Sequence, residues 1–110
     1  SMRYKEKFEQ TTKQNIVDGI LQNKWEMNQR FQVEKLWLYG SFVRDDTTPY
    51  SDVDVFVQMK DETRKNELRD YLFETLKRPV DIQVEGYYHP NFSMTPALTE
   101  RELIFDVSKS

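Results

Sequence analysis

Apolar positions recur along this chain with two different periods. Residues 4 to 30 contain no proline and place Phe8, Thr12, Ile16 and Ile20 at four-residue steps beside Val17, Leu21 and Trp25. That spacing predicts one long amphipathic helix with a single apolar stripe. "VEKLWLYG" then reads as a short strand ended by Gly40, and "SFVR" as the start of a helix for which Ser41 is a suitable N-cap. After the polar loop "DDTTPYS" the alternation in "DVDVFVQM" puts Val53, Val55 and Val57 on one strand face and Asp52, Asp54, Phe56 and Gln58 on the other. Asp61 and Glu62 open a helix with Leu68, Tyr71, Leu72 and Leu76 on its buried side. Lys77 and Arg78 complement that helix's C-terminal dipole before Pro79 stops it. "PVDIQVEG" alternates again, with Val80, Ile82 and Val84 opposite Asp81, Gln83 and Glu85. The tail holds an aromatic loop, "YYHPNFS", a short helix capped by Thr95 with Pro96 at its first position, and "LIFDV" as an edge strand.

Composition narrows what such a chain can do. Its 110 residues suit one domain, residues 1–110, with Ser1 ahead of Met2 reading as a cloning remnant. The mean hydropathy of -0.82 and the short apolar runs predict neither a membrane span nor a signal peptide, so the expected location is cytoplasmic. There is no cysteine, so any metal must be held by oxygen or by the one histidine, His89. With 16 basic against 19 acidic residues and no basic block, nucleic acid is disfavoured as a partner. Aromatics make up 14% of the chain, more than a core of this size readily buries, which points some of them at a pocket or an interface.

Aspartate has poor strand propensity, yet Asp52, Asp54 and Asp81 all stand in alternating apolar segments. Carboxylates gathered on one sheet face repel each other unless a cation neutralises them, and oxygen-only ligation suits magnesium or manganese completed by substrate phosphates. A lone D-x-D is more often a solvated sheet face. Gly40 and Ser41 shift that balance, because a glycine turn leading into helical amides grips a phosphate closely. Taken alone they would be only a turn and an N-cap. Arg44, one turn further on, serves equally well as a phosphate contact or as the partner of Asp45 or Asp46.

"GS", ten residues, and then "DVD" resemble the signature of the minimal nucleotidyltransferases of the DNA polymerase beta superfamily, and "RPVDIQV" resembles the strand that brings their third carboxylate. The likeness runs over nearly the whole chain. It implies an α+β fold, a polymerase-beta-like nucleotidyltransferase domain whose mixed sheet is packed on one face by helices. It also implies that Asp52 and Asp54 hold Mg2+ (or Mn2+), that Asp81 completes the metal and catalytic set and helps activate an acceptor hydroxyl, and that Gly40, Ser41 and Arg44 bind the phosphates of ATP. The sequence departs from the family's usual "RG" after the turn, since "GSFVRDD" places Asp45 and Asp46 there.

Members of this size resemble the antitoxins of toxin–antitoxin pairs, which implies AMP transfer to a tyrosine of a helical HEPN-type toxin. Two other readings stay open. One is a non-catalytic antitoxin acting by occlusion, and the other an antibiotic-type small-molecule transferase with a separate substrate-binding subunit. His89 reads as a loop residue rather than a ligand. Tyr87, Tyr88 and Phe92 suit base stacking, an interface or a core edge, and Tyr50 an interface.

Overall fold

The structure is a computed structural model that describes residues 11–88 and 98–109. The two alternating stretches and "VEKLWLY" each form a strand, and they come together with "ELIFD" in a sheet of order β3-β2-β1-β4. Here β1 is Val33–Tyr39, β2 Val53–Met59, β3 Val80–Val84 and β4 Glu102–Asp106. The β1–β2 and β1–β4 pairs are antiparallel and β2–β3 is parallel, so the sheet is mixed, as expected. The parallel pair needs a crossover, supplied by α4 (Lys65–Leu76) after a short 3-10 turn, Glu62–Arg64, capped by the Asp61 side chain.

One face of the sheet is covered by helices. Leu36 and Leu38 of β1, Val53, Val55 and Val57 of β2, Val80, Ile82 and Val84 of β3, and Phe105 of β4 pack with Ile16, Ile20, Met27, Phe31, Phe42, Leu68 and Leu72 in one core. Alternation predicts the β2 and β3 members of that list residue by residue. On the other face Phe56 is buried as well, with Tyr39, Trp37 and Tyr88 around it. A second, smaller aromatic cluster therefore lies on the face opposite the main core.

The leading helix differs from the sequence expectation. In place of one helix over residues 4–30, the described part forms α1 (Lys13–Gln22) and α2 (Lys24–Phe31), divided at Asn23. Thr12, expected inside the helix, is the N-cap, its hydroxyl oxygen accepting from the Asn15 N–H at 3.0 Å. The Asn23 side chain donates to the Gly19 carbonyl at 2.8 Å and accepts from the Tyr71 hydroxyl at 2.6 Å, so its polar atoms compete with helix continuation. Leu21 and Trp25, on either side of the break, are exposed at 44% and 53% instead of lining the apolar stripe, and in α2 it is Met27 and Phe31 that go inward. Phe8, Thr95 and Pro96 lie outside the described residues.

Candidate active site

The end of β1 and the starts of β2 and β3 converge at one edge of the sheet, on the face opposite the main core. Tyr39, the last residue of β1, lies opposite Asp54, and Asp54 lies beside Asp81 across the parallel pair. Asp52 immediately precedes β2. The structure thus brings the three sequence-predicted carboxylates into one neighbourhood.

Gly40 makes this packing possible. Its backbone has φ 77° and ψ -150°, outside what L side chains readily adopt, and a Cβ built there would collide with the Asp54 carboxylate. The glycine is therefore needed for its conformation and for the close approach of Asp54. It occupies the N-cap position of α3 (Ser41–Arg44), and Ser41 is the first helical residue, not the cap.

The electrostatics record the crowding. Burial, and then the charges of Asp81 and Asp52, push the Asp54 carboxyl up from its ordinary 3.8 to about 7, with Glu100 adding to the rise and Arg44 opposing it. Asp52 is raised by burial and by Asp81, and Arg78 counteracts this. Tyr39 is pushed well above the usual phenol range, first by burial and then by Asp54, Asp81 and Glu100.

Three participants were not identified from sequence. Glu100, in the helical residues 98–100, accepts from the Gly40 N–H at 3.1 Å and from Arg44 Nη1 at 2.8 Å. Arg44 also donates from Nε to Asp46 at 3.1 Å, so the acidic neighbour expected to compete for it does so. Tyr39 fits its strand pattern and gives no separate signal. Arg78, expected at the helix terminus as a dipole complement, is instead only 2% exposed and donates to the Ser51 carbonyl at 2.8 Å and the Pro49 carbonyl at 3.4 Å. The signal for it was present in "RPVD", where a cation stands two residues before the strand of the third aspartate. His89 and Phe92 lie outside the described residues, Tyr50 and Tyr87 are exposed, and Tyr88 packs 5.9 Å from Phe56.

Among the described residues no group of three or more histidine, cysteine or acidic side chains is already arranged to hold a metal ion. The donor chemistry nevertheless fits a hard divalent cation. Oxygen ligands that raise one another's proton affinity at neutral pH also favour a cation, and magnesium is ordinarily held by one or two carboxylates plus water and phosphate oxygens. Asp52, Asp54 and Asp81 are the residues that could hold it.

A mixed sheet with helices on one face, and acids beside a glycine-serine turn at one edge of the other, defines a nucleotidyl-transferring class of domain. Residues 21–105 match the nucleotidyltransferase domain family; the chain belongs to it and is an enzyme of that class. Two candidate protein adenylyltransferases of Methanocaldococcus jannaschii are similar in sequence. One is 30% identical over 74 residues, 64% of this chain and 76% of the relative. The other is 25% identical over 81 residues, 71% of this chain and 83% of the relative.

Solved structures share the fold. A chain of a toxin–antitoxin crystal structure with AMP-PNP superposes with a TM-score of 0.59 at 17% identity, over 90% of this chain and 77% of that one. A chain of the Shewanella oneidensis complex between a tri-AMPylated HEPN toxin and its MNT antitoxin gives 0.58 at 16% identity, over 89% and 76%. A candidate nucleotidyltransferase from Sulfolobus solfataricus gives 0.53 at 21% identity, over 89% and 86%. Among the described residues no helix is long and apolar enough to cross a membrane.

Proposed function

We propose that this enzyme moves AMP from ATP to a hydroxyl of a partner protein, a tyrosine of a HEPN-type toxin, and so acts as the antitoxin of a pair. The observation that carries the reading is Asp54, flanked by Asp52 and Asp81 and packed against the Gly40-Ser41 turn. Catalysis of this kind needs a phosphate grip and a cation seat within one substrate's reach. The likeness to candidate protein adenylyltransferases supports a protein acceptor. The fold shared with a chain of the complex between a tri-AMPylated HEPN toxin and an MNT antitoxin supports the pairing.

In this mechanism Asp52, Asp54 and Asp81 would hold Mg2+ (or Mn2+), which would supply charge neutralisation for the phosphates. The Gly40 N–H, the Ser41 hydroxyl and Arg44 bind phosphate oxygens. In this structure the first and last of these donors face Glu100, so phosphate binding entails exchange of that carboxylate for the nucleotide. Asp81 takes the proton of the acceptor hydroxyl as its oxygen bonds to the α-phosphorus. The bond from that phosphorus to the bridging oxygen breaks, and pyrophosphate leaves with the electron pair. No enzyme-bound covalent intermediate is required.

The test is to incubate the protein and the helical product of its adjacent gene with ATP labelled at the α- or the γ-phosphate. Label from the α position should become protein-bound, label from the γ position should leave as pyrophosphate, and EDTA should abolish both. Protein-bound γ label would mean phosphoryl transfer and overturn the proposal.

A further inference from the structure

Among the described residues Arg78 has the largest of the fully buried side chains, and it stands in the connection between α4 and β3. A cation that served only the helix dipole would remain in water, because burying a guanidinium is costly and a buried charge is weak evidence of added stability. Its partners suggest another reason. The Ser51 carbonyl, which accepts from Nη1 at 2.8 Å, belongs to the same planar peptide unit as the Asp52 amide. Fixing that oxygen therefore fixes the plane from which Asp52 departs.

On the other side of Asp52, the Val53 N–H donates to the Pro79 carbonyl at 2.8 Å. Asp52 is thus bracketed by two bonds to one dipeptide, Arg78-Pro79, and that dipeptide leads directly into the strand carrying Asp81. The guanidinium also lies 5.7 Å from the ring of Phe42, next to Ser41 in the phosphate-facing turn. A single side chain contacts or adjoins all three segments that bear the site.

We propose that Arg78 is a positioning residue, which sets the Asp52 carboxylate in register with Asp81 through the Ser51 carbonyl and so fixes the geometry of the cation seat. The inference rests on the transferase reading above. Lysine is a poor replacement, since both carbonyls are reached by the one nitrogen Nη1 at the end of a planar guanidinium that lies over the Phe42 ring, and an ammonium has no such plane to hold its donor in that place.

The test compares Arg78→Lys and Arg78→Met with the wild-type protein by circular dichroism, by Mn2+ binding followed by electron paramagnetic resonance, and by steady-state kinetics corrected for the folded fraction. Arg78→Lys should fold, bind Mn2+ about tenfold more weakly, and lose about 100-fold in kcat while KM for ATP stays within about threefold. Arg78→Met should weaken Mn2+ binding at least as much. Lowered thermal stability with unchanged Mn2+ affinity and unchanged kcat per folded molecule would overturn the proposal, and so would complete unfolding of both variants. The Mn2+ titration is independent of turnover. Wild-type protein that binds Mn2+ but transfers nothing would count against the transferase reading, while weakened Mn2+ binding in Arg78→Lys would still support the positioning role.

Discussion

Asp54 carries a carboxyl held near neutrality by its own surroundings, so the protein without metal should lose stability as it ionises. Below about pH 4 the group is protonated in both the folded and the unfolded chain. As the pH rises from there to about 7, the unfolded chain gives up the proton while the folded one retains it, so folding becomes less favourable. Above about 7 the loss is complete. Asp52 shifts in the same direction and adds to it. Denaturant unfolding in EDTA should show a fall on the order of 2 kcal/mol across that window, after allowance for solvent screening at a partly exposed carboxylate. Asp54→Asn should remove most of the fall and be the more stable protein at pH 8. A profile that is flat or rising between pH 4 and 7 would contradict the crowding argument.

The same residue scale separates Gly40 from Ser41. Gly40→Val imposes a side chain on a positive-φ backbone and drives it into Asp54, with a cost of about 1–3 kcal/mol in stability together with loss of activity. Ser41→Ala removes only a hydroxyl, so it should unfold at the wild-type denaturant midpoint and raise KM for ATP about tenfold, the value of a hydrogen bond to a charged group. An unchanged KM would remove Ser41 from the phosphate grip. Glu100 shows where reading at this scale stops. It reaches Gly40 across 60 residues of sequence, and no local pattern in "LTERE" encodes that contact.

At the scale of elements, the strands were legible and the first helix was not. Strict alternation is a period that only a half-buried strand satisfies, so Val53, Val55, Val57, Val80, Ile82 and Val84 fell on the core face as expected. The four-residue steps of the first helix are compatible with either one helix or two in sequence. What decides is Asn23, whose amide bonds to Gly19 and Tyr71 are worth more here than another turn of helix. Asn23→Ala should therefore cost about 1–2 kcal/mol, because it leaves the buried end of the Tyr71 hydroxyl without its acceptor. It should leave kcat unchanged, since none of its partners belongs to the site. Chemical denaturation together with initial rates would check both, and a large kcat effect would mean that the helices communicate with the sheet edge. Arg78 escapes a rule that is sound for helix ends. The rule ignores that the chain turns inward at Pro79 to begin β3, taking the cation with it.

At the scale of the whole molecule, the sheet has one face sealed by helices and the other left to carboxylates and aromatics. The aromatic surplus in the composition finds a place there, where Trp37, Phe56 and Tyr88 adjoin Tyr39 and the guanidinium of Arg101 lies 4.3 Å from the Trp37 ring. On the proposed reading the acceptor arrives on another protein, and exposed aromatics such as Tyr50 and Tyr87 suit that contact. The measurement that tests this most directly is the intact mass of the adjacent gene's product after incubation with this protein, ATP and Mg2+. The account predicts increments of about 329 Da, the mass of one AMP joined through a side-chain oxygen. They should be absent with Asp52→Asn or Asp54→Asn and absent when the acceptor tyrosine is changed to phenylalanine. A partner that binds tightly but never gains mass, and that is still neutralised by the Asp54→Asn protein, would contradict it.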